Sequence, residues 1–241
     1  KNIHDDTRTG LTHWNEMMHT FGLGADLGVD LPYEHSGRVP SVKYYDRIHK
    51  GENMWKLGNT YSIGIGQGEV GVTPLQLANL VSCIANEGWY ITPHIIKSIG
   101  DGGNPLPEFM EKHTTPIEVD YFRYVKRAMS DVVRAGTARR AFIEDIEVCG
   151  KTGTAQNPHG KDHSVFMAFA PRVNPKIAIA VYVENAGFGG TWAAPVASLM
   201  IEKYLRENYP EFKREDGVII TRQYLEDYVL TGDLIDDDEV Q

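Results

Sequence analysis

Ile146-Glu147-Val148-Cys149-Gly150-Lys151-Thr152-Gly153-Thr154-Ala155 reads as a β-strand, and two more strand candidates come close behind it. These are His163-Ser164-Val165-Phe166-Met167-Ala168-Phe169-Ala170 and Ile177-Ala178-Ile179-Ala180-Val181-Tyr182-Val183. Pro171-Arg172-Val173-Asn174-Pro175 between the last two has the length and residue types of a hairpin connection. Ala168, Ala178 and Ala180 are small, as a sheet needs where helices pack closely on it. A helix over about 191–208 comes next, with Pro195 tolerated in its first turn or so.

Working upstream, two helices precede these strands. Thr73 serves as N-cap, Pro74 suits the first helical position, and Gln76 completes a Thr-x-x-Gln capping box. Leu77, Leu80, Val81 and Ile84 then make an apolar face, and Gly88 ends it. Asp120 is placed to cap a second helix with Phe122, Val125, Met129, Val132 and Val133 on one side and Gly136 after it. An earlier helix is read over 11–21, from Leu11, Trp14, Met17, Met18 and Phe21, and Gly22 and Gly24 suit its end. Residues 25–60 show few periodic runs and read as a long surface excursion with short turns, functional or mobile. Residues 89–99 read as a short strand or two, with Asp101-Gly102-Gly103-Asn104-Pro105 as a turn between its arms. Helices first, then a strand meander, then a helix is an α+β order.

Composition limits the functional classes. The chain has 241 residues, 41% hydrophobic and 24% charged, typical of a globular protein with a substantial core. No stretch approaches the ~20 apolar residues of a membrane span. The net charge of -9 is concentrated in residues 215–241, which hold nine acids and one base. Residues 1–214 are near neutral and carry no basic stripe, so no nucleic-acid partner is expected. The expected organisation is a body over 1–214 and an acidic C-terminal tail over 215–241, in which Asp236-Asp237-Asp238-Glu239 reads as a solvated end or an interaction tail. Cys83 and Cys149 are too few for a disulfide framework. Both lie in apolar contexts and read as buried free thiols, with one bridge as the alternative in an oxidising compartment.

Lys151-Thr152-Gly153 on a strand has a physical logic. The lysine supplies positive charge near an anionic substrate terminus and near proton-transfer groups. The threonine hydroxyl offers a hydrogen bond to a carboxylate. The glycine has no Cβ, so a substrate backbone can lie against the strand. The next residue can present a backbone N–H to an oxyanion. Adjacent strand residues point to opposite faces. Lys151 and Thr152 can therefore serve one cleft only if their strand borders it side-on, at a sheet edge. An edge would also let a peptide substrate add as a further strand.

Other candidates read more plainly. His159, Asp162 and His163 are loosely spaced with no cysteine nearby, so they are surface-loop or cleft-lining residues in preference to a metal site. Gly64, Gly66, Gly68 and Gly71 lack the Gly-Lys-[Ser/Thr] end of a phosphate loop and suit a tight approach to a cleft. Gln67 either hydrogen-bonds across the site or is structural. Phe188 and Trp192, flanking Gly189-Gly190, form either a substrate rim or core.

Several segments together resemble one family. Gly66-Gln67-Gly68 followed by Thr73-Pro74-Leu75-Gln76-Leu77-Ala78 is similar to the region between the second and third motifs of class B penicillin-binding proteins. Gly150-Lys151-Thr152-Gly153-Thr154-Ala155-Gln156 is similar to their third motif. Phe166 to Pro171 and Glu184-Asn185-Ala186-Gly187 resemble the strands and loop that come after that motif. Trp14, Phe21-Gly22-Leu23-Gly24 and Asp30-Leu31-Pro32 resemble the elongation-type subgroup, penicillin-binding protein 2. The resemblance covers roughly 10–208. It implies an α+β, partial penicillin-binding/β-lactamase-like transpeptidase fold: an antiparallel sheet with packed helices, its N-terminal part missing.

The implied activity is peptidoglycan D,D-transpeptidation through an acyl-serine intermediate inhibited by β-lactams. Lys151 takes an electrostatic and proton-network role, and the Thr154 N–H joins the oxyanion hole. Thr152, Gly153 and Thr154 bind the D-Ala-D-Ala or β-lactam carboxylate end. No cofactor and no metal are implied. The implied partners are stem peptides, β-lactams, and a membrane glycan polymerase with its elongation complex. The implied location is the periplasmic face of the cytoplasmic membrane, anchored by a segment outside this chain. No serine here is followed three places on by lysine or two places on by asparagine, so the nucleophile and its partners are expected upstream of Lys1 and this chain alone is expected to be inactive. The alternatives are a β-lactam sensor or class D-type β-lactamase-like domain, and a catalytically dead interaction domain of the same fold.

Overall fold

The computed structural model describes residues 7–51, 54–100, 103 and 106–214. The acidic segment 215–241 and most of the 101–105 turn lie outside the described residues. The chain divides into two compact units, residues 1–124 and 125–241.

The first unit opens with α1 (Thr7–Thr20) and α2 (Val42–Ile48). α1 begins four residues before the expected start. α2 falls inside the stretch read as turns, and side chains account for it. Ser41 caps it, its Oγ accepting from the Tyr44 N–H at 3.2 Å. Tyr45 is completely buried and packs on Trp55. Asp46 takes two hydrogen bonds from Arg8, at 2.6 and 2.8 Å, and one from Trp55 Nε1 at 2.8 Å. Those bonds, Arg8's foremost, hold the Asp46 carboxyl down at about 2.

α3 (Pro74–Ala85) has the capping box read from the sequence. The Thr73 hydroxyl accepts from the Gln76 N–H, and Gln76 Oε1 accepts from the Thr73 N–H, both at 3.1 Å. The Gln76 amide also donates to the carbonyls of Ala25 and Ser36, so one buried side chain ties the helix start to the long excursion. β1 (Trp89–Ile91) is shorter than the 89–99 expected, and it pairs antiparallel with β2 (Lys112–Thr114). Residues beyond Ile91 instead turn to Asp30, whose carboxylate accepts the N–H groups of Ile95 and Ile96. α4 (Val119–Ala135) starts one residue before Asp120, which therefore sits in the first turn and pairs with Arg123. The core of this unit gathers Phe21, Leu23, Leu27, Val39, Cys83, Tyr90 and Phe122.

The second unit holds the rest of α4, the sheet β3 (Cys149–Ala155), β4 (His163–Ala170) and β5 (Ile177–Val183), and α5 (Ala193–Asn208). β4 and β5 have the expected bounds. β3 begins at Cys149, not Ile146: Ile146 and Val148 are buried in the core in an extended run that only bridges back to Ile143. The strands form an antiparallel sheet in the order β3-β4-β5. In the β3–β4 register Thr152 faces Phe166 and Thr154 faces Ser164. In the β4–β5 register Phe166 faces Val181 and Ala168 faces Ile179. Strand alternation therefore places Gly150, Thr152, Thr154, Phe166, Ala168 and Ile179 on one face.

That face is covered by α5. Ala193, Ala194 and Ala197 are fully buried, and such small side chains let the helix come close to Ala168 and Ala170. Ile201 and Leu205 complete the stripe, each contributing about 1.5–3 kcal/mol by burial. A charged network closes the helix end. Arg206 donates to buried Glu202 at 2.7 Å, makes a two-pronged bond to Asp145, and reaches the Phe212 carbonyl. Among the described residues no helix is long and apolar enough to cross a membrane.

Candidate functional site

β3 carries the expected residues, and among the described residues it pairs with β4 alone. Its other edge is open, as Lys151 and Thr152 require if both are to border one cleft. Lys151 is exposed and its Nζ donates to the Thr152 carbonyl at 2.8 Å. Thr152, Gly153 and Thr154 are half-buried. Thr152 and Thr154 share the α5 face, two residues apart, roughly 7 Å along the strand. Lys151 and Gly153 point to the opposite face.

The strand is held from beneath by close backbone packing. A Cβ at Gly150 would stand 2.3 Å from Phe166 Cζ, so the ring lies directly on that glycine. A Cβ at Gly189 would stand 2.2 Å from the Val165 carbonyl oxygen and 2.5 Å from that of Gly153. A Cβ at Gly190 would stand 2.3 Å from the Thr137 carbonyl oxygen. The loop before α5 thus presses onto β3 and onto the turn after α4. Buried Ser164 fixes this loop: its Oγ donates to the Phe188 carbonyl at 2.9 Å and accepts from the Ala193 N–H at 3.0 Å. Thr137 Oγ1 lies 2.8 Å from Thr152 Oγ1. The doubled glycine at 189–190 is a sequence signal for such an approach. Thr137 carries none.

The rim is built from the β3–β4 loop and the stretch after β5. Asp162 accepts from the Asn157 N–H, and the Asn157 amide donates to the Asn185 side-chain oxygen at 2.7 Å. His163 Nδ1 accepts from the Asn185 N–H at 3.1 Å, and its ring leans on Tyr182. His159 is exposed, and its N–H donates to the Asn157 side chain. Asp162 and His163 are thus engaged in holding two loops together, and among the described residues no cluster of His, Cys, Asp and Glu is placed to hold a metal. Phe188 is exposed on this rim, whereas Trp192 is half-buried at the start of α5. Gln67 belongs to the first unit, where its N–H reaches back five residues to the Ser62 carbonyl at 2.9 Å, just past the 3₁₀ turn Ser62–Ile65.

Neither thiol is reactive. Cys83 and Cys149 are free and buried, and burial pushes each up to about 12. Beside β3, burial pushes the Glu147 carboxyl up, but hydrogen bonds from Arg172 and Ser130 outweigh it and leave it below its ordinary value.

Known proteins are similar to this chain in sequence and in fold. The chain is 34% identical to the Haemophilus influenzae peptidoglycan D,D-transpeptidase MrdA, a match covering 85% of this chain and 34% of that protein. Pseudomonas aeruginosa PBP2 superposes with a TM-score of 0.71 at 34% identity, covering 86% of this chain and 43% of that one. Helicobacter pylori PBP2, solved in complex with MreC, superposes with a TM-score of 0.65 at 29% identity, covering 81% and 36%. The chain thus spans about a third of the length of the curated relatives it matches. The family model for the penicillin binding protein transpeptidase domain matches residues 4–202, and with the Lys-Thr-Gly strand at the sheet edge this chain belongs to that family.

Proposed function

We propose that the complete protein is a peptidoglycan D,D-transpeptidase in which this chain supplies the substrate-binding edge. The supporting observation is the open edge of β3, with Lys151, Thr152, Gly153 and Thr154 in sequence along it. A stem peptide ending in D-Ala-D-Ala lies along that edge as an added strand, its backbone passing close over Gly153. Thr152 and Thr154 bind its terminal carboxylate. The Thr154 N–H donates to the carbonyl oxygen as negative charge develops there. Lys151 places positive charge beside the proton-transfer groups. A serine outside this chain attacks the carbonyl, the terminal D-Ala leaves as the amine, and an amine of a second stem peptide then takes the acyl group and frees the serine. A β-lactam undergoes the same first step, but its leaving group stays tethered.

In this reading residues 1–214 are the C-terminal part of the transpeptidase domain and 215–241 an acidic tail. The complete protein is anchored at the periplasmic face of the cytoplasmic membrane and works with a glycan polymerase of the elongation machinery. The test is acylation by a fluorescent penicillin. The complete protein should form a stable adduct that Lys151→Ala slows at least tenfold, and the isolated chain should form none. An adduct on the isolated chain, or Lys151→Ala acylating at the normal rate, would overturn the reading.

A further inference from the structure

Thr137 lies in the turn after α4, and its hydroxyl meets that of Thr152 at 2.8 Å. A hydroxyl has one proton to donate. When two hydroxyls share a bond, one spends its proton on the other, and the second keeps a proton to direct elsewhere. The Thr137 turn is well held. The N–H groups of Gly136 and Ala138 both donate to the Val132 carbonyl at 3.1 Å, and Gly190 packs against the Thr137 carbonyl too closely for any side chain. Backbone geometry therefore presents the Thr137 hydroxyl to Thr152.

We infer that Thr137 is a positioning residue for carboxylate recognition: it donates to Thr152 Oγ1 and so leaves the Thr152 proton aimed at the carboxylate of a stem peptide or β-lactam. The inference rests on the reading that Thr152 receives that carboxylate. Two physical effects support recognition. A hydroxyl that accepts one hydrogen bond is polarised into a better donor for the next. A hydroxyl whose lone pair is already occupied also has fewer rotor positions to lose when the anion arrives. In the opposite polarity, with Thr152 donating to Thr137, lone pairs would face the anion. The arriving carboxylate therefore selects the productive direction.

The complete protein carrying Thr137→Val, Thr137→Ser or Thr152→Val tests this. Second-order acylation rates are measured with a penicillin and with its methyl ester, which keeps the reactive ring but has no carboxylate. Thr137→Val should lower the acid-over-ester preference about fivefold, the loss of one ordinary hydrogen bond, with the ester rate unchanged. Thr137→Ser should restore the preference, because serine keeps the donor. Thr137 is exposed, so valine should leave the thermal midpoint in place. Equal slowing of acid and ester in Thr137→Val would mark a merely structural role and overturn the inference. So would an unchanged preference in Thr137→Val beside a lowered one in Thr152→Val. An unchanged preference in Thr152→Val would overturn the carboxylate assignment itself, and the Thr137 inference with it.

Discussion

Gly150→Ala should destabilise the chain by about 2 kcal/mol, and Phe166→Leu should rescue much of that loss. Phe166 lies opposite Thr152, and its ring leans diagonally onto Gly150, where an added Cβ would stand 2.3 Å from Cζ, 2.7 Å from Cε2 and 3.3 Å from Cε1. To reach an ordinary contact the ring must retreat about 1 Å, but it is fully buried against α5 and β5. Because the ring cannot give, overpacking here costs near the upper end of ~1–3 kcal/mol, and ~0.5–1 kcal/mol from the reduced backbone freedom of alanine relative to glycine brings the net to about 2 kcal/mol. Phe166→Leu alone removes three carbons, about 2 kcal/mol of burial. Those carbons are the same Cζ, Cε1 and Cε2 that obstruct the methyl group. In the double variant the methyl fills part of the space they vacate, so the combined loss should be only ~1 kcal/mol, well short of the ~4 kcal/mol sum. Urea unfolding monitored by far-ultraviolet circular dichroism gives each value, with the denaturant slope held constant as the check on comparability. A Gly150→Ala loss below ~0.5 kcal/mol, or additivity within ~0.5 kcal/mol, would refute the packing argument.

Charged groups give two further expected outcomes. Arg206→Met removes the 2.7 Å bond to buried Glu202 and the two-pronged bond to Asp145 and should cost about 3 kcal/mol or more in the same unfolding measurement, whereas Arg206→Met with Glu202→Leu should recover most of it. Asp46 is held at about 2, so its pairing stabilises the folded chain fully above the ordinary carboxylate range. That contribution disappears as pH falls from about 4 towards about 2. Asp46→Asn should accordingly lower the unfolding midpoint at neutral pH and converge with the parent chain near pH 2; a constant gap across that range would show that the carboxylate charge is not what holds α2.

The parts of this fold legible in the sequence are those whose signals are local. β4 and β5 are apolar runs of eight and seven residues separated by a proline-bounded turn, and their bounds read correctly. α3 announces itself by Thr73, Pro74 and Gln76 because capping geometry spans only four residues. α2 is illegible because its seven residues are too few to establish an apolar period. It is held by Tyr45 and Asp46, whose partners Trp55, Glu69 and Arg8 are distant in sequence. The Asp145–Arg206 contact, 61 residues apart, is hidden for the same reason. At the site, the motif and its need for an edge strand are readable from residue types and strand alternation. What supports the strand is not: Thr137, Ser164 and the pressing loop at 189–190 act through tertiary contact, and only the paired glycines hint at it.

The two glycines of Gly150-Lys151-Thr152-Gly153 answer to different constraints, and this separates folding from recognition within one strand. Gly150 is required by Phe166. Gly153 is not required by any contact of its own Cβ position, which would meet Val165 Cβ at an ordinary 3.4 Å. Gly153→Ala should therefore fold as well as the parent chain, within ~0.5 kcal/mol or slightly better, since alanine restricts the unfolded backbone more than glycine. If a substrate backbone passes over this strand, the added methyl projects into its path on the face opposite Thr152, and the complete protein should lose at least tenfold in penicillin acylation while its unfolding curve stays in place. Loss of stability in Gly153→Ala would show that the glycine serves the fold after all. Unchanged acylation would show that no ligand backbone crosses that face of the strand at Gly153.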